Sequence, residues 1–96
     1  MPYTQTIDLS GIATKAALHQ RLKEQLHFPD WYGPSWDALF DRLVAQPGIP
    51  GEIRLTNWQE FAQAVPHEMK TLRLVIDDYA REQLGRCLVL VPAAEL

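Results

Sequence analysis

Two aspartates four residues apart are the most informative pair in the sequence. Asp37 and Asp41 fall in a stretch with helical periodicity, so their carboxylates leave the same face of one helix. Paired carboxylates can hold a divalent cation, act as general acid and base, or present negative charge to a cationic partner. That helix face carries no third acidic residue and has no histidine near it, which disfavours the first two interpretations.

Aromatic side chains surround the aspartate pair. Trp31 and Tyr32 precede it in a segment with two prolines and a glycine, which indicates a loop whose side chains are expected to be exposed. Phe40 lies between the aspartates and the apolar side of the helix. Aromatic residues beside carboxylates are typical of a protein-binding hot spot. The alternative is that Asp37 and Asp41 are solvated surface charges and the two loop aromatics fold over the core.

The distribution of charge supports a binding role for this segment. The 96 residues carry a formal net charge of −3, and residues 30–47, with three aspartates and one arginine, hold −2 of it. An acidic chain argues against a general nucleic-acid binder and against a basic membrane-surface module. A local acidic patch instead favours a basic protein partner.

Other reactive residues give no sign of an enzyme. The sequence has neither a glycine-rich phosphate loop nor a nucleophile motif, and its single cysteine excludes an internal disulfide. Cys87 opens an apolar run and is predicted to be a buried structural cysteine. His19 falls on a polar face of the first helix and is predicted to be a surface residue. We therefore expect no catalysis, no cofactor and no metal.

The length of the chain and its local patterns indicate the number of domains and the location of the protein. A chain of 96 residues is predicted to form one domain over residues 1–96. The beginning lacks the pattern of a signal peptide, and no apolar stretch is long enough to span a bilayer. The expected location is therefore the cytoplasm, and no membrane partner is expected.

Hydrophobic periodicity, together with the prolines and glycines between the periodic segments, predicts three strands and four helices in the order β-α-α-β-α-α-β. The predicted strands cover residues 4–9, 52–55 and 87–91, and the last two helices cover residues 58–65 and 67–84. In the first helix Ala17, Leu18, Leu22 and Leu26 form one apolar stripe, and Pro29 is expected to end it. The second helix is predicted from Trp36 to about Gln46.

Helix boundaries are predicted from capping residues. Thr14, Ser35 and Asn57 are suited to cap the first three helices, and Pro66 suits the first position of the fourth. Gly85 is a plausible cap at the end of the fourth helix. The continuous apolar run 87–91 is typical of a strand buried on both faces of a parallel sheet. The predicted architecture is a compact two-layer α/β domain.

The loop and second helix resemble the barstar family of intracellular inhibitors of barnase-type ribonucleases. The residues that carry the resemblance are Pro29-Asp30-Trp31-Tyr32-Gly33, Asp37-Ala38-Leu39, Asp41 and Leu43. Weaker matches are Leu18-His19-Gln20, Leu22-Lys23, Leu26, Trp58, Phe61, Gly85 and Cys87. The resemblance covers nearly the whole chain and implies a three-stranded parallel sheet packed against helices, as the element order predicts.

The resemblance also implies a function, which is the inhibition of a basic ribonuclease in a 1:1 complex. In the family the second helix and the preceding loop occlude the ribonuclease active site. Asp41 falls on the central carboxylate and Asp37 on the supporting one. The further contact positions implied for this sequence are Trp31, Tyr32, Gly33, Ser35 and Phe40. An acidic contact on the last helix would fall on Asp77 or Asp78.

Departures from the family pattern concern the choice of target. Pro34, Ser35, Trp36 and Phe40 each replace a different residue type, which fits a related ribonuclease or toxin better than barnase itself. Such an inhibitor would act as a bacterial antitoxin or immunity protein. The alternative hypothesis is a barstar-like interaction module for a partner that is not a nuclease. A third, an enzyme using the carboxylates with Mg²⁺, would require metal binding.

Overall fold

The computed structural model describes residues 3–93, which form one parallel sheet and four helices. The elements in chain order are β1 (Thr4–Asp8), α1 (Lys15–Leu26), α2 (Trp36–Ala45), β2 (Glu52–Thr56), α3 (Gln59–Ala64), α4 (Pro66–Glu82) and β3 (Cys87–Leu90). The predicted fold class and element order are confirmed.

The sheet has the spatial order β1-β2-β3, and both strand pairs are parallel. Ile53 and Leu55 of the central strand β2 are fully buried, and their register partners on one side are Leu88 and Leu90. These side chains share one face with Ile7, because alternate residues of a strand point the same way. This face meets the helices and holds the core.

The apolar run 87–91, which contains β3, was expected to be buried on both faces of the sheet, and that prediction is wrong. β3 is an edge strand in which only Leu88 is fully buried, whereas Cys87 and Val89 are half-buried. Cys87 and Val89 pair in register with Glu52 and Arg54 on the face opposite the core. Composition indicates an apolar strand, but the position of that strand in the sheet depends on the crossover connections.

Helix α1 begins as predicted and ends earlier than predicted. The Thr14 side-chain oxygen accepts a hydrogen bond from the backbone N–H of Ala17 at 3.1 Å. Leu26 is the last helical residue because His27 adopts the left-handed conformation, with φ 57°. Pro29 therefore lies in the loop beyond the helix end, and His27 sets the direction in which that loop leaves α1.

Two further boundaries differ from the prediction. Asn57 does not cap α3: its backbone is left-handed, with φ 54°, and its side-chain amide donates to Asp8 Oδ1 at 2.9 Å. Gly85 does not cap α4, which ends at Glu82, but forms the turn into β3 with φ 88°. Ser35 and Pro66 begin α2 and α4 as predicted.

The left-handed residue His27 gives a direct test of how α1 ends. We expect His27→Gly to raise the free energy of unfolding by about 0.5 kcal/mol, because glycine adopts positive φ without steric cost. The matched control is Gln25→Gly inside the same helix, which is expected to lower the free energy of unfolding by about 1 kcal/mol. Urea denaturation measures both, and equal destabilisation by the two variants would contradict this helix end.

Candidate protein-binding site

Helix α2 has one buried side and one exposed side. Leu39 and Leu43 are fully buried, whereas Asp37 and Asp41 are exposed and Phe40 is half-buried between them. The Ser35 hydroxyl oxygen accepts the Ala38 N–H at 3.3 Å at the start of the helix. The two carboxylates therefore project from a helix that is anchored in the core.

The exposed side of α2 forms one wall of a groove of about 500 Å³, and α4 forms the other. The lining residues are Trp36, Asp37, Phe40 and Asp41 from α2, and Thr71, Leu74, Val75 and Asp78 from α4. The groove thus combines three carboxylates with apolar and aromatic side chains. The carboxylates of such a surface can bind the charged end of a cationic side chain, and its apolar residues can pack against the methylene groups of that side chain.

Trp36 fixes one end of the groove. Its indole N–H donates to Glu68 Oε2 at 2.8 Å, which connects the beginning of α2 to the first turn of α4. The ring also meets His19 of α1 in an edge-on contact, with ring centroids 4.7 Å apart. Because Trp36 contacts both neighbouring helices, the spacing between the two groove walls is held by packing as well as by a hydrogen bond.

The two loop aromatics, Trp31 and Tyr32, lie in different environments. Trp31 is 72% exposed, as predicted, but Tyr32 is only 6% exposed, so the expectation that it would be exposed is wrong. The Tyr32 N–H donates to Pro29 O at 2.9 Å, and the ring packs on Phe28 with centroids 4.7 Å apart. The turn at Pro29 thus directs two consecutive side chains to opposite sides.

His19 is buried, which contradicts the prediction of a surface residue. It is 2% exposed, and its Nδ1 shares a hydrogen bond with the Tyr32 hydroxyl. His19 stands three residues before Leu22 and seven before Leu26, so it borders the apolar stripe of α1, and the loop after α1 folds back over it. The pKa of His19 is lowered from 6.5 to about 4, chiefly by burial and also by the nearby charge of Lys15, while Glu68 opposes the shift. His19 is therefore neutral near pH 7, and its hydrogen bond with Tyr32 joins the loop to α1.

The remaining predicted site residues lie around the same surface. Gly33 is half-buried and Ser35 is exposed, and both belong to the loop that leads into α2. Asp77 and Asp78 are both exposed, but only Asp78 lines the groove, where it also forms an ion pair with Arg81. The geometry therefore brings Asp78 into the cluster with Asp37 and Asp41, and it leaves Asp77 outside.

The sequence prediction named an acidic contact on α4 but missed the other residues with which that helix lines the groove. Leu74 is 56% exposed and lines the groove beside Thr71 and Val75. One signal was present: Leu74 is a large apolar residue outside the buried stripe of its helix, which consists of Met69, Leu72, Val75 and Tyr79. The contact in which the Arg42 guanidinium carbon lies 5.4 Å from the centroid of the Trp31 ring was also missed, since no local pattern indicates it.

Residues 3–93 contain neither a metal-binding cluster nor a helix that could cross a membrane. No group of three or more His, Cys, Asp or Glu side chains within that range could hold a metal ion. Cys87 is a free cysteine, and burial raises the pKa of its thiol. Within the same range, every helix is too short or too polar to cross a membrane.

The chain is thus a small α/β protein with a three-stranded parallel sheet, four helices and an acidic groove between α2 and α4. The family model described as "Barstar (barnase inhibitor)" matches residues 3–92 of the chain. The chain therefore belongs to the barstar family, which confirms the resemblance drawn from the loop and second helix.

A curated relative gives a second comparison. The chain is 43% identical over 42 residues to the Bacillus subtilis (strain 168) protein named "Putative ribonuclease inhibitor YrdF". The match covers 44% of this chain and 46% of the relative, so it spans about half the length of each protein.

Buried His19 makes stability depend on pH. The pKa of His19 lies below its unfolded value, so between pH 6.5 and about 4 the unfolded chain binds a proton that the folded chain does not. Stability should therefore fall as the pH is lowered through this window, by on the order of 3 kcal/mol from this residue. Urea denaturation of the wild type and His19→Gln measures the difference. A variant whose stability falls as steeply as that of the wild type would contradict the assignment.

Proposed function

We propose that this protein inhibits a basic ribonuclease by inserting the acidic side of α2 into the active-site cleft of the enzyme. The observation that carries the proposal is the set of three exposed carboxylates, Asp37, Asp41 and Asp78, on the two walls of one groove. Family membership supports the same reading. The complex would be 1:1, and the inhibitor itself would perform no chemistry.

Charge complementarity gives the physical reason for the choice of partner. A ribonuclease must place cationic side chains where it holds RNA phosphates, and carboxylates at the same positions compete for them. Asp37 and Asp41 stand about 6 Å apart along the helix axis, one turn from each other. Within residues 3–93 neither carboxylate has an ion-pair or hydrogen-bond partner, so both are available to the cationic groups of another protein.

Rigidity of the proposed binding surface favours binding. Leu39 and Leu43 anchor α2 in the core, Trp36 ties it to α4, and Tyr32 anchors the preceding loop. A surface that is already ordered loses less conformational entropy on binding than a flexible one. Apolar groups at Phe40 and Leu74 would exclude water around the charge pairs, which strengthens them.

The proposed role fits a bacterial antitoxin or immunity protein that works in the cytoplasm. An organism that makes a secreted or toxic ribonuclease needs to block that enzyme before it degrades the RNA of the cell. Departures at Pro34, Ser35, Trp36 and Phe40 favour a relative of barnase as the target over barnase itself. A stoichiometric inhibitor that covers the active site meets this need without a catalytic step.

Substitution of Asp41 tests the site. We expect Asp41→Ala to weaken inhibition by roughly 30-fold or more, because truncating one side of a buried charge pair costs about 2–5 kcal/mol. Its free energy of unfolding should stay within about 0.5 kcal/mol of wild type, as is usual for an exposed residue. The assay measures RNA cleavage by barnase, and by any ribonuclease encoded in a neighbouring gene, against inhibitor concentration.

Asp77→Ala is the matched control, because it removes the same charge from an exposed residue outside the groove. It should change inhibition by less than about threefold, whereas Asp78→Ala should lie between Asp77→Ala and Asp41→Ala. Equal losses from Asp41→Ala and Asp77→Ala would show that net charge alone matters. A wild-type protein that inhibits neither ribonuclease would favour the interaction-module alternative.

A further inference from the structure

Arg42 connects the exposed loop tryptophan to the body of the protein. Its guanidinium carbon lies 5.4 Å from the centroid of the Trp31 ring. Its Nε and Nη2 both donate to Gln46 Oε1, at 3.2 and 2.9 Å, and Gln46 Nε2 donates to Leu26 O at 2.9 Å. One face of Trp31 is therefore linked, through two side chains, to the end of α1.

The charge of Arg42 is unexpected at this place. It follows Asp41 directly on the helix that, under the proposed function, meets a cationic cleft. A positive charge there reduces the attraction between the two proteins, so electrostatic complementarity does not explain it. The contacts explain it better, because a planar guanidinium can stack on an indole while its N–H groups are held by an amide oxygen.

We propose that Arg42 is a positioning residue that orders Trp31 before the ribonuclease binds. The inference rests on the proposed function and adds to it a reason for the cation. Trp31 is 72% exposed, so without support its side chain would sample several rotamers and lose that freedom on binding. With one face covered by Arg42, the ring presents its other face in one orientation.

This role and a purely electrostatic role for Arg42 predict different effects of substitution on binding. If only charge mattered, Arg42→Gln would strengthen binding to a basic enzyme, and Arg42→Lys would leave it unchanged. If Arg42 orders Trp31, both variants weaken binding by about three- to tenfold, because lysine keeps the charge but loses the planar stack and the paired donation to Gln46. Arg42→Lys is thus the charge-matched variant that separates the two.

The first experiment needs no partner. In nuclear magnetic resonance spectra of the wild type, the ring current of Trp31 should shift the Arg42 Hδ signals upfield, and Trp31→Ala should remove that shift. The Trp31 indole N–H should show larger side-chain motion in Arg42→Lys and Arg42→Gln than in the wild type. Equal indole mobility in all three proteins would overturn the proposal.

The second experiment is a double-mutant cycle, in which dissociation of the ribonuclease used in the inhibition assay is measured. Arg42→Lys should speed dissociation in the wild-type background and have no further effect in Trp31→Ala, because it acts through that ring. Equal effects in both backgrounds would overturn the proposal. If the wild type binds neither ribonuclease, the proposed function fails, and the mobility of the indole alone decides whether Arg42 orders Trp31.

Discussion

Leu39 and Leu43 fix the rotation of α2 about its axis, and the outer surface of the protein depends on that rotation. Both side chains are fully buried, and each contributes about 2 kcal/mol through removal of apolar surface from water. Successive residues of a helix are about 100° apart, so a change of one residue in phase would turn Asp37 and Asp41 away from the groove. Burial of the two leucines during folding therefore places the two aspartates of the same helix on the surface of the protein.

The same separation of buried and exposed groups continues in the loop before α2. Tyr32 and neutral His19 lie inside and join the loop to α1, whereas Trp31 lies outside against Arg42. Burying a neutral imidazole that has a hydrogen-bond partner costs far less than burying a charged one. The support of the loop is therefore built from neutral groups, whereas the carboxylates of α2 remain in water.

Much of this architecture follows from local patterns, and the exceptions have a common origin. The leucine spacing of α1, the alternation of β2 and the pair Asp37 and Asp41 are periodic features that a short window reveals. The edge position of β3 and the contact of Arg42 with Trp31 involve segments that are not adjacent in sequence. They are set by how the elements pack, so composition and spacing could not predict them. The ambiguity between Asp77 and Asp78 is of the same kind, because the phase of α4 against α2 decides which one lines the groove.

Competition with a nucleotide in the ribonuclease active site tests the central claim most directly. The measurement is the apparent Kd of the inhibitor for the ribonuclease, by titration calorimetry, at increasing concentrations of a mononucleotide that occupies the phosphate site of that enzyme. If α2 enters the cleft, binding is mutually exclusive, and the apparent Kd should rise in proportion to 1 + [nucleotide]/Kd of the nucleotide. An apparent Kd that stays constant while the nucleotide remains bound would contradict occlusion of the active site.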